Sequence, residues 1–104
     1  MAVEVIWQPQ ALENISDIAD FISKESINYA RIQIERFFER ATILETFPLS
    51  GRIVPELGTE QLPELIIGSY RMIYYVVSDQ RVEILTVHHS SMLLSNNPRF
   101  TEHH

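Results

Sequence analysis

The residues with the most chemical reach sit near the end of the chain, in "ILTVHHSSMLL" (84–94), where His88 and His89 stand side by side ahead of Ser90 and Ser91. Histidine titrates near neutrality, so either ring is competent as a general acid or base. A serine hydroxyl needs an activating neighbour before it can do the same. Two other uses of the histidines are open: one ring packs on the core and hydrogen-bonds while the other faces out, or they contact a protein partner. A shared metal ion is disfavoured, because adjacent strand residues point to opposite faces. Arg71, in the apolar run "GSYRMIYYV", is the second candidate. An arginine there needs an anionic partner, and Glu56 or Glu64 would supply it. Arg52, directly after Gly51, reads as a tie across a bend. Tyr70, Tyr74 and Tyr75 read as core or interface, with base stacking on Tyr75 as the functional alternative.

These residues must be positioned by a short series of elements. "VEVIW" (3–7) alternates, with Val3, Val5 and Trp7 on one side, and reads as a strand. Pro9 suits the first turn of a helix, where its missing N–H costs nothing. Leu12, Ile15, Ile18, Ala19 and Ile22 then form one helical stripe, with Asp17 and Asp20 opposite it. Ser26 is the expected N-cap of a second helix over 27–46, buried along Ala30, Ile34, Phe37, Phe38, Ala41 and Leu44. "FPLSGR" (47–52) ends it, with Pro48 as breaker and Gly51 free to take positive φ. The run 64–87 reads as three strands joined at Gly68-Ser69 and at Ser78-Asp79-Gln80. The expected class is α+β in the order β-α-α-β-β-β, a helical hairpin on one face of a small antiparallel sheet.

Composition narrows the function. The chain has 104 residues, enough for one core and not for two. It lacks cysteine, which excludes disulfides and thiolate metal sites and favours a cytoplasmic location. No apolar stretch approaches the roughly 20 residues of a bilayer span, and "MAVEVIW" carries no secretion signal, so no membrane partner is expected. The terminal His103–His104 pair reads as a tag remnant. Eight Lys plus Arg against fourteen Asp plus Glu leave a net charge of −6. Binding to RNA through phosphates calls for a basic surface, so this balance argues against it. A basic protein partner is easier to reconcile.

Within the central strand, Arg71, Ile73, Tyr75 and Val77 point one way and Tyr70, Met72, Tyr74 and Val76 the other. Both sets are largely apolar, yet two helices cover only one face. The second cover is expected to come from a partner.

The order and spacing of these pieces resemble the RelE/ParE superfamily of bacterial type II toxins. The likeness runs over roughly residues 4–94, through "W-x-P-x-A", "FPLSGR", "LGTEQLPELIIGSYRMIYYV" and "VEILTVHHSS". It implies a single toxin domain over 1–94 with a tail from 95 to 104. It also implies a hetero-oligomer with a cognate ParD- or RelB-like antitoxin, and no cofactor. RelE-like members are ribosome-dependent mRNA endonucleases that need a base, cations for the phosphorane and an acid. Arg71 stands where such members carry a strand arginine, and Glu56 could replace a carboxylate base. The positions of their terminal acid/base residue, however, fall near Ser90 and Ser91. A slip of one or two residues would bring in His88 or His89. The pattern is closer to the ParE-like, plasmid-stabilisation branch, which implies a poison of DNA gyrase that acts by binding. In that reading Arg52, Arg71, Ile73, Tyr75 and His89 contact antitoxin or target. A toxin fold kept only as a non-toxic antitoxin-binding module is a further alternative.

Overall fold

Pro9 is the first residue of α1 (Pro9–Ser23), one residue beyond β1 (Glu4–Trp7), so the chain turns from strand to helix within a single step. The computed structural model describes residues 2–91; the tail from 95 and the His103–His104 pair lie outside the described residues. Ser26 caps α2 (Ile27–Ala41) as expected, its hydroxyl accepting the Tyr29 N–H at 3.1 Å. The helix is shorter than the sequence pattern implied. It tightens into a 3-10 turn over Thr42–Glu45, a common way to satisfy the last carbonyls.

Four more strands follow: β2 (Arg52–Ile53), β3 (Pro63–Ile67), β4 (Tyr70–Ser78) and β5 (Arg81–His89). The sheet order is β1-β5-β4-β3-β2. The expected α+β element order and the antiparallel β3-β4-β5 meander are both present. The sheet is nonetheless mixed, because β1 lies parallel to β5, with Val5 opposite Val82. Parallel neighbours need a long connection, and here the helical hairpin and the meander together supply it. Gly68 takes φ +59 in the β3–β4 turn, the conformation its position demanded. Leu85 is an extra residue in β5, since Ile73 faces Thr86 and Tyr74 faces Ile84.

The helices cover one sheet face. Ala11 and Ile15 of α1 and Phe37 and Ala41 of α2 join Met72, Tyr74, Val82, Ile84 and Val87 in the main core. Tyr70 and Val76 pack against it, so the alternation read along β4 is correct. Leu12 and Phe38, both expected in the buried stripes, are 45% and 40% exposed. Phe38 lies instead against the Trp7 ring, centroids 4.8 Å apart. Beyond the end of β1, the Val87 N–H on the free edge of β5 is accepted by Asn14 Oδ1 at 3.1 Å. A side chain of α1 thus replaces a missing strand neighbour.

The opposite face is not left bare where Arg71 and Ile73 stand. Val54 and Leu57 fold back onto Ile73, so the chain itself covers this end. That corrects the expectation of a wholly missing cover. Toward the other end of β4, Val77 is exposed.

Gly51 has a role different from the one expected. Its φ is not positive; the position needs glycine for space. A Cβ there would lie 2.6 Å from the Tyr74 hydroxyl and 2.7 Å from the Glu64 carbonyl oxygen. That hydroxyl, on a fully buried ring, accepts the Gly51 N–H at 2.9 Å and donates to the Pro48 carbonyl at 2.8 Å. Gly51→Ala is expected to lower unfolding stability by about 1–3 kcal/mol, the usual cost of overpacking a tight site. Urea denaturation measures it, and an unchanged midpoint would show that the bend can relax around a methyl group.

Candidate functional site

Beside the small apolar cluster of Val54, Leu57 and Ile73, the outer sheet face carries a chain of charges. Glu64 in β3 pairs with Arg52 of β2 on one side and with Ile73 of β4 on the other. Its carboxylate therefore lies between two arginines. Oε2 accepts from Arg52 Nε at 2.7 Å and Oε1 accepts from Arg71 Nε at 2.5 Å. The rest of the Arg71 fork faces the loop after β2: Nη1 donates to Glu56 Oε2 at 2.8 Å and Nη2 to Oε1 at 3.1 Å. The side chains of Glu64 and Arg71 are 0% and 8% exposed, against 42% for Glu56 and 60% for Arg52. Two positive and two negative charges cancel. A buried guanidinium is tolerable on these terms, because its partners accept in fixed directions. The Arg71 hydrogen bonds hold the Glu56 carboxyl below the usual carboxylate range, and the Glu56 contact leads in raising Arg71.

His88 stands directly across from Arg71 in the β4–β5 ladder. It is 6% exposed, and neither ring nitrogen has a hydrogen-bond partner among the described residues. Burial pushes its pKa below the ordinary 6.5, and the neighbouring Arg71 charge adds to that; Glu64 and Glu56 oppose it. His88 is a buried ring beside a cation already paired with two carboxylates.

His89 points to the other face. Its ring meets the edge of Tyr70 at 5.5 Å, while Nδ1 accepts the Ser91 N–H at 3.1 Å and lies 2.7 Å from Ser91 Oγ. With Ile18, Phe21 and Tyr70 it lines an open groove of about 490 Å³. The fold thus brings Arg71, Glu56 and His88 together and sends His89 elsewhere.

The residues expected to bind a partner divide in the same way. Ile73 is fully buried beneath Val54 and Leu57, whereas Arg52 is open to solvent and Tyr75 is half-buried. Ile66, opposite Arg71, is exposed with Val77 on this face. The bridging role of Glu64 was only half visible in the sequence. It was one of two carboxylates suited to Arg71, but nothing in a linear pattern linked it to Arg52 as well. Among the described residues no three His, Asp or Glu side chains converge for a metal ion, and no helix is long and apolar enough to cross a membrane.

Comparison with known proteins gives a consistent family. The family described as "ParE toxin of type II toxin-antitoxin system, parDE" matches residues 5–94. Toxin RelE2 of Caulobacter vibrioides is 31% identical over 90 residues, covering 86% of this chain and 98% of that protein. A chain from the chromosomal ParDE toxin–antitoxin system of P. aeruginosa shares the fold at TM-score 0.69 and 14% identity, over 85% of this chain and 96% of that one. A chain of the RelBE2 toxin–antitoxin complex from Mycobacterium tuberculosis does so at TM-score 0.54 and 22% identity, over 86% and 99%.

The charge chain makes two expectations measurable. Glu64→Ala takes the fully buried partner from Arg71 and the anchor from Arg52 and should cost about 3–5 kcal/mol in urea unfolding, whereas Glu56→Ala, at the rim, should cost about 1 kcal/mol or less. Equal losses would mean that the loop carboxylate is as integral as the buried one. His88 has a depressed folded pKa, so the unfolded chain takes up its proton first as pH falls below 6.5. Its contribution is complete above that pH and declines toward the lower folded value. The urea midpoint should drop on acidification below 6.5, and His88→Leu should flatten that drop; an equally steep profile in the variant would assign it to other groups.

Proposed function

The chain belongs to the ParE toxin family of type II toxin–antitoxin systems, and from that membership we propose that it inhibits DNA gyrase by protein binding, is held inactive by a cognate ParD- or RelB-like antitoxin in a hetero-oligomer, and cleaves no RNA. The observation that carries this reading is the commitment of Arg71 to the protein's own carboxylates. Three of its N–H groups already face carboxylates, and the cluster around it sums to zero charge. A phosphoryl-transfer site needs uncommitted cations where negative charge develops. The net charge of −6 points the same way, because a polyanion gains little from such a surface. Glu56, the candidate base, is engaged with Arg71, and His88, the candidate acid, is buried.

On this reading the antitoxin covers the outer face, where Ile66 is exposed beside Arg71 and Tyr75 and Val77 lie toward the other end of β4. The toxin–antitoxin systems of the structural neighbours support such a partner. One observation favours a second reading, a RelE-like ribosome-dependent endonuclease: Arg71 and His88 are direct cross-strand neighbours, the residues that chemistry would use.

Purified antitoxin-free protein in a gyrase supercoiling assay separates the two. The expected result is dose-dependent loss of supercoiling with trapped cleaved DNA, reversed by antitoxin. No effect on gyrase, together with mRNA cleavage on ribosomes that Arg71→Ala and His88→Ala abolish, would establish the endonuclease instead.

A further inference from the structure

A serine hydroxyl is inert without a basic neighbour, and the fold supplies one to Ser91. Its Oγ lies 2.7 Å from Nδ1 of His89, two residues back along the chain. The Ser91 backbone N–H reaches the same nitrogen at 3.1 Å. An amide N–H can only donate, so Nδ1 carries the lone pair and the ring proton sits on Nε2. The backbone thereby fixes the tautomer, and the Ser91 hydroxyl donates to Nδ1. That is the arrangement in which an imidazole takes the proton of a nucleophile.

The pair is held from two sides. The Ser90 N–H donates to the Ser69 carbonyl at 2.7 Å, which ties the turn after β5 to the turn between β3 and β4. The His89 ring meets Tyr70 edge-on at 5.5 Å, and Tyr70 meets the fully buried Phe37 ring in the same way at 5.3 Å. Ser91 itself is exposed. A second, independent feature lies beside it. Both residues line the open groove of about 490 Å³, whose other described walls are Ile18, Phe21, the Tyr70 ring and Asp17. That volume falls within the roughly 300–1,000 Å³ of small-molecule sites. The described lining is largely apolar and holds a carboxylate but no lysine or arginine, so it suits an uncharged apolar group and disfavours an anion.

We propose that Ser91 is an acyl-acceptor site, with His89 as its general base and the groove as the seat for the acyl chain of a neutral ester. Ser91 Oγ attacks the carbonyl carbon while its proton passes to His89 Nδ1. The bond from that carbon to the alcohol oxygen then breaks, and the leaving oxygen takes the proton from the imidazolium. The products are an ester on Ser91 and a free alcohol, with no oxidant or reductant required. His89 points away from the face that carries Arg71 and His88, so the site is separate from the charge chain.

The test uses the full chain with two p-nitrophenyl esters, the acetate and the hexanoate, followed by p-nitrophenol release and by intact mass with peptide mapping. The parent should gain a single acyl group at Ser91, about tenfold faster from the hexanoate. Ser91→Ala should lose the adduct, while Ser90→Ala, which removes the neighbouring hydroxyl, should keep it. His89→Asn still offers an oxygen to the Ser91 N–H but cannot take up a proton, and should slow acylation about a hundredfold. An unchanged rate in that variant would reduce His89 to a structural part of the turn and overturn the proposal. In the parent the rate should rise with pH and level off once the imidazole has lost its proton. A flat profile overturns the general base, and this arm holds even if a variant fails to fold. Adducts on Lys24, the N-terminus or Ser90 in place of Ser91 overturn the site, and equal rates with the two esters overturn the groove as the acyl seat. Neither gyrase nor antitoxin enters the assay, so its failure is distinct from failure of the gyrase reading.

Discussion

A carboxylate with no access to solvent organises the outer half of this protein. Glu64 sits at 0% side-chain exposure and accepts from arginines on both neighbouring strands. Without it, Arg52 would lose its anchor and β2, only two residues long, would have little but its backbone pairing to β3. Arg71 would lose the contact that orients its fork toward Glu56. An isolated buried charge is costly, while the same charge shared between two cations is sustainable. The arrangement therefore depends on Glu64 before any other member.

The two faces of the sheet are coupled through a single ring. Tyr74 belongs to the apolar core beneath the helices, yet its hydroxyl bonds to Pro48 and Gly51 in the bend that precedes Arg52. The helix side thereby sets where β2 begins and where Arg52 can reach. Val54 and Leu57 then seat the following loop on Ile73, which brings Glu56 over Arg71. Packing on one face thus ends in electrostatics on the other.

That coupling bears on function because the fold hosts more than one activity, and the activity must be argued from the site. Here the strand arginine is neutralised by the protein's own carboxylates, and the neighbouring imidazole is buried and neutral. This arrangement is what supports the proposal that the chain acts by binding. Ile66 near one end of β4 and Val77 near the other stay exposed on either side of the self-covered region, so the chain provides part of its own second layer and leaves the remainder open.

Much of the architecture was readable from residue periodicity, because helices and strands bury fixed intervals of the chain. Pro9 in the first turn of α1, the Ser26 cap, the Gly68 turn and the two faces of β4 are local consequences of stereochemistry. Arg71 could also be seen to need an anion, since an arginine among apolar strand residues has no other recourse. Tertiary structure decided what no linear pattern encodes. It set β1 parallel to β5, gave Asn14 the role of an edge partner, and placed Gly51 against the Tyr74 hydroxyl. Alternation already sends the adjacent histidines to opposite faces, but the register of β5 against β4 decided that His88 meets Arg71 and His89 meets Tyr70. Register and close approach are set by contacts between distant segments, and those exist only once the sheet has formed.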